Sequence, residues 1–99
     1  MPERTRYLLA YDIRDPARLR RVHQTAKQFG YALQYSVFIC DLEPVSLAAL
    51  REQLRTKIHH REDSVSIFAL GPADGRQAKQ VIQLGVEAAL PNTDQEAVW

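Results

Sequence analysis

Two rhythms of apolar residues alternate along the chain, and they divide it into elements. Residues 6–12, Arg-Tyr-Leu-Leu-Ala-Tyr-Asp, are apolar at nearly every position and end on a charge, the pattern of a buried strand. Asp15-Pro16 then marks a helix start, since Asp caps free N–H groups and Pro suits the first turn. Leu19, Val22, Ala26 and Phe29 recur at steps of three and four, an apolar stripe facing a core, and Gly30 supplies a stop. Residues 31–40, Tyr-Ala-Leu-Gln-Tyr-Ser-Val-Phe-Ile-Cys, are rich in β-branched and aromatic types and are expected to be extended. Whether they form one strand or two short ones bent near Gln34–Ser36 stays open.

Pro44 opens a second helix with a stripe at Leu47, Leu50, Leu54 and Ile58. A polar stretch, His59–Asp63, leads into a further strand from Ser64 to Leu70. Gly71-Pro72 and Asp74-Gly75 predict a turn-rich break. A last short strand is expected around Gln80–Leu84, followed by a tail that is Ala-rich before Pro91-Asn92. Residues 1–84 thus read as one domain and residues 85–99 as a C-terminal tail suited to docking a partner.

This order predicts an α+β fold, a ferredoxin-like βαββαβ sandwich with two helices on one face of an antiparallel sheet. The first strand carries Tyr7, Leu9 and Tyr11 on one face and Leu8 and Ala10 on the other. Two helices cover only one face, so the other needs a second cover. A second copy of the chain, packed sheet to sheet about a twofold axis, is the simplest one.

Composition adds the boundaries. Ninety-nine residues with 45% hydrophobic and 25% charged positions suit one ordinary globular domain. No apolar run approaches the roughly 18–20 residues of a membrane span, and Met-Pro-Glu-Arg-Thr-Arg does not resemble a secretory signal. Cys40 is the only cysteine, so neither an internal disulfide nor a cysteine metal cage is available. The reducing cytoplasm is the expected compartment. The net charge of +1 conceals an asymmetry: residues 1–30 hold seven Arg/Lys against three acids, and the rest hold six against nine. A basic N-terminal third suits an anionic partner.

Asp12 is the unusual residue, a charge closing an apolar strand. An Asx turn or a helix cap is the plainer role, but Asp15 already stands where the cap belongs. One carboxylate is a poor cage for Zn²⁺ or Ca²⁺, whereas Mg²⁺ keeps its waters and takes one or two carboxylates plus phosphate oxygens. A twofold axis near the strand end would bring two copies of Asp12 together. Arg14, Arg18 and Arg21, three to four residues apart, predict one basic face of the first helix, with Arg20 and Lys27 beside it. Guanidinium forks match phosphate oxygens without reading sequence, although a solubilising face is the plainer alternative.

Other residues offer less. His59 and His60 are adjacent and point apart on any regular element, and His23, beside two arginines, is expected at the surface. Ser36 has no His/Asp partner in view. Tyr7, Tyr11, Tyr31 and Tyr35 are expected in core or interface packing rather than base stacking. No Walker or GxGxxG loop is present.

Three stretches in order resemble the CRISPR-associated protein 2 family. They are Tyr11-Asp12-Ile13-Arg14-Asp15-Pro16 leading into an Arg-rich helix closed by Phe29-Gly30, then Gln34-Tyr35-Ser36-Val37-Phe38, then Glu62-Asp63-Ser64-Val65-Ser66-Ile67-Phe68. The resemblance covers roughly residues 6–70. It implies a ferredoxin-like homodimer whose last strand can cross to the partner's sheet, with Mg²⁺ (or Mn²⁺) at two copies of Asp12, the catalytic carboxylate. It also implies a role in acquiring new CRISPR spacers, bridging dimers of the CRISPR-associated integrase. Members have been described as metal-dependent endonucleases on single-stranded RNA or duplex DNA, and as scaffolds for duplex DNA. A ribonuclease toxin of the same fold is the alternative.

Overall fold

The computed structural model describes residues 3–74 together with Ile82, Leu84 and Gly85. Its elements run β1 (Thr5–Asp12), α1 (Pro16–Phe29), β2 (Tyr31–Gln34), β3 (Val37–Leu42), α2 (Pro44–Lys57) and β4 (Ser64–Pro72). The strands form one antiparallel sheet in the order β2-β3-β1-β4. Both helices pack on one face, which gives the α+β, ferredoxin-like βαββαβ sandwich expected from the pattern.

The register explains why β1 is apolar on both sides. Leu9 lies opposite Phe38 and Ile67, and this face, with Tyr11, Cys40 and Leu42, meets Val22, Ala26, Leu50 and Leu54 of the helices. The opposite face carries Leu8 across from Ile39 and Phe68, and Ala10 across from Val37. Arg6 and Asp41 also pair there, with Nε–Oδ1 and Nη2–Oδ2 distances of 2.8 Å.

Residues 31–40 resolve into a hairpin. Gln34 faces Val37 across the two-residue turn Tyr35-Ser36, with a register shift between Ala32 and Gln34. The turn has no glycine, and no described non-glycine residue has a positive φ. It is held instead by Tyr11 of β1, whose N–H donates to the Ser36 carbonyl (3.1 Å) and whose hydroxyl donates to the Tyr35 carbonyl (2.9 Å).

The helix starts are as the caps predict: the Asp15 carboxylate accepts from the Arg18 N–H at 2.9 Å, and Pro16 takes the first turn. Gly30 ends α1, but not through a left-handed turn, since its backbone is extended (φ −169°). It is needed for space. A Cβ there would fall on the Ile39 carbonyl oxygen and lie 2.7 Å from Cys40 Sγ.

Gly71-Pro72 correct another expectation. They continue β4 rather than break it, because a bulge between Arg6 and Tyr7 absorbs an extra residue and Gly71 takes φ 119°. Proline is tolerated there because β4 is the edge strand of the sheet formed by the described residues. The strand expected around 80–84 and the tail beyond it lie outside the described residues, save the three named above.

Candidate metal and nucleic-acid site

Asp12 is the last residue of β1, and its cross-strand partner is Ser64, the first residue of β4. Pleating turns Tyr11 into the core, 6% exposed, and leaves Asp12 exposed beside it. Its carboxylate makes no hydrogen bond or ion pair with a described residue. The helix-cap alternative is thereby removed, since Asp15 does that work.

Asp63 is a residue that sequence reasoning passed over. Its side chain is fully buried, yet it is charged and meets four donors. Oδ1 accepts from the Arg14 backbone N–H (2.9 Å) and from Arg18 Nη2 (3.1 Å). Oδ2 accepts from Arg18 Nε and from the His59 N–H, each at 2.8 Å. Arg18 and the two N–H groups hold this carboxyl well below the usual carboxylate range. The same carboxylate therefore ties the loop after β1 to the loop before β4. Only the family-like stretch Glu62-Asp63-Ser64 hinted at it, because nothing local reveals that Arg18 lies 45 residues away and Arg14 49.

The proposed arginine face divides. Arg14 lies in the loop before the Asp15 cap, not on the helix. Arg18 turns to Asp63 and to Glu62 (3.0 Å), so its guanidinium is engaged inside the chain. Arg14, Arg20, Arg21 and Lys27 are exposed, and their side chains have no partner among the described residues. Arg14 follows the Asp12 end of β1 by two residues, and Arg20, Arg21 and Lys27 lie on α1.

His23 is a correction. It is 7% exposed rather than at the surface, stacked on Tyr35 (ring centroids 4.2 Å apart) and edge-on to Phe38. The signal was present: with Leu19, Val22 and Ala26, position 23 completes an i, i+3, i+4, i+7 stripe. Its Nδ1 lies 3.1 Å from both the Tyr11 hydroxyl and the Tyr35 carbonyl, and burial lowers its pKa. Tyr11 is in the core, as expected. His59 and His60 stay exposed in the loop before β4, where His60 Nε2 donates to the Arg55 carbonyl (3.1 Å). Burial pushes the Cys40 thiol up to about 12, which removes it as a nucleophile. Among the described residues no group of three or more His, Cys, Asp or Glu could hold a metal.

A family model described as "CRISPR associated protein Cas2" matches residues 5–78. The chain belongs to the Cas2 family. A Cas2 endoribonuclease of Thermodesulfovibrio yellowstonii is 44% identical over 64 residues, covering 65% of this chain and 70% of that protein. A Cas2 endoribonuclease of Geobacter sulfurreducens is 38% identical over 73 residues, covering 74% and 77%. A crystal structure of Streptococcus pyogenes Cas2 superposes with a TM-score of 0.72 at 29% identity, over 81% of this chain and 99% of that one. The Cas2 match spans β1, where Asp12 sits, and β4, where Asp63 precedes the first residue.

The donor set of this Cas2-family chain suits Mg²⁺ in one respect. One exposed carboxylate with no partner among the described residues fits a hydrated, oxygen-seeking ion that needs only one or two carboxylates. It does not suit a closed Zn²⁺ site. Among the described residues no helix is long and apolar enough to cross a membrane.

Proposed function

We propose that the chain serves CRISPR-based antiviral defence in the acquisition of new spacers, as a homodimer that grips duplex DNA for the CRISPR-associated integrase. In the same reading, two copies of Asp12 hold Mg²⁺ and support phosphodiester cleavage of single-stranded RNA or duplex DNA. The observation that carries it is Asp12 itself: an exposed carboxylate at a strand end with no partner among the described residues, in a chain whose relatives are named endoribonucleases.

Bound metal would polarise the phosphodiester and ease deprotonation of a water. The remaining work falls to the chain. Arg14, Arg20, Arg21 and Lys27 take phosphate oxygens and set the duplex or strand in place, a role that needs exposure and positive charge but no base contact. The described residues hold no cluster of three or more His, Cys, Asp or Glu that could bind a metal, and the Asp63 carboxylate is taken up by Arg18 and backbone N–H groups, which weights the reading toward scaffolding.

Two variants test this. Asp12→Ala is expected to abolish Mg²⁺-dependent cleavage and leave duplex binding intact. Arg20→Ala/Arg21→Ala is expected to weaken duplex binding and flatten its salt dependence by about 1.8 in log–log slope, roughly 0.9 per lost phosphate contact. Undiminished cleavage by Asp12→Ala would sink the metal assignment. Spacer acquisition by the same variant in cells then separates the roles: retained acquisition means scaffolding, and lost acquisition with an intact dimer means the metal acts there too.

A further inference from the structure

Asp12 is fixed on both sides by one short piece of chain. Its backbone pairs with Ser64, and two residues later the Arg14 N–H is held by Asp63 at 2.9 Å. Ile13, between them, is 7% exposed and packed into the core. Asp63 is in turn held by the Arg18 fork at 2.8 and 3.1 Å and by the His59 N–H at 2.8 Å, so it has little freedom to shift. Both Asp63 oxygens are taken up by these four donors, so the carboxylate acts as a fixed link between the loop after β1 and the loop before β4.

We propose that Asp63, locked by Arg18, is the positioning residue of the Asp12 site: it sets the backbone that aims the Asp12 carboxylate at a divalent cation. The inference rests on the reading of Asp12 as a metal ligand. It also takes Arg18 out of the phosphate-binding set, because its guanidinium holds Asp63 instead of a nucleic acid.

Mn²⁺ titration of the full chain, followed by the spectroscopic signal of the free ion, tests it without relying on turnover. Asp63→Asn keeps size and one acceptor oxygen but loses the charge facing Arg18. With helical content and solution mass as in the unaltered chain, its Mn²⁺ affinity is expected to fall about 10- to 100-fold, as when partners behind a metal ligand are removed. Duplex affinity should stay unchanged, which separates this effect from that of Arg20→Ala/Arg21→Ala. Unaltered Mn²⁺ affinity in folded Asp63→Asn overturns the proposal. Should that variant not fold, Arg18→Lys, which leaves both backbone bonds to Asp63 in place, is the substitute: lower Mn²⁺ affinity with unchanged duplex affinity supports the proposal. The reverse pattern, unchanged Mn²⁺ affinity with weakened duplex binding, makes Arg18 a phosphate grip and overturns it. Asp12→Ala run alongside keeps the two readings apart. If it retains Mn²⁺ binding, the Asp12 assignment itself fails; if it loses binding while Asp63→Asn does not, only the role of Asp63 fails.

Discussion

The Tyr35 carbonyl oxygen receives the Tyr11 hydroxyl at 2.9 Å and lies 3.1 Å from His23 Nδ1. A carbonyl only accepts, so Nδ1 carries the proton of the neutral imidazole, a tautomer fixed by its neighbour. Burial lowers the His23 pKa, with the Lys27 charge acting in the same direction and the Tyr35 carbonyl opposing it. The sign follows. Unfolded His23 takes its proton near pH 6.5 and the folded chain resists, so stability is complete above that value and declines as pH falls below it. The chemical-denaturation midpoint should therefore drop between pH 7.5 and 5.5, and His23→Phe should remove part of that slope. The part removed is bounded by one proton, about 1.4 kcal/mol per pH unit. An identical slope in the variant would show that His23 does not titrate in this range. Residue-scale chemistry was legible where one residue sufficed: Asp12 stood out because a charge closing an apolar strand needs a reason. The pairing of Asp63 with Arg18 did not, and Arg18 alone reads as a phosphate contact, because each is explained only by the other, across a fold that local pattern does not display.

At the scale of elements, helices and strands followed their periodicity, and the joints between them did not. The Tyr35-Ser36 turn lacks the Asn-Gly or Asp-Gly signature of a tight hairpin, and it closes because β1 supplies two donors to it. Gly71-Pro72 reads as a stop by composition but pairs with β1 through a bulge. Gly30 is the clearest case of a correct boundary with another cause. Its extended backbone would suit any residue, but the approach of β3 would not. Gly30→Ala should therefore destabilise the chain by about 1–3 kcal/mol through overpacking, or prevent folding if β3 cannot yield. A left-handed turn is already excluded by the extended backbone, and a helix-propensity account would make the same change neutral or slightly stabilising. Urea denaturation distinguishes them: an unchanged midpoint would refute the steric reading, since the nearest atom is the Ile39 backbone carbonyl oxygen, with Cys40 Sγ and Cys40 Cα behind it, and a backbone carbonyl held in the sheet cannot swing aside.

At the scale of the whole molecule, the described residues place no helix on one sheet face, and that face is not polar. Leu8, Ala10 and Val37 are partly exposed at its centre around the buried Ile39, and Phe68 on β4 is 53% exposed. The half-buried Arg6–Asp41 pair lies at the same face, where a charged pair is best placed beside an apolar contact that restrains both side chains. An apolar sheet face of this kind calls for a partner, and a second copy of the chain also answers the deficit at Asp12, where one carboxylate is available and a hydrated ion is served better by two. Solution mass is expected to be twice the 11.3 kDa of the chain at micromolar concentration. Phe68→Asp places a charge on that face without entering the helix-covered core. It should shift the mass toward that of one chain while leaving helical content unchanged, and Mn²⁺ affinity should fall with it. If the variant is monomeric and binds Mn²⁺ as the unaltered chain does, a single Asp12 suffices and the pairing argument is wrong. If it stays dimeric at the same affinity, the interface lies on another surface.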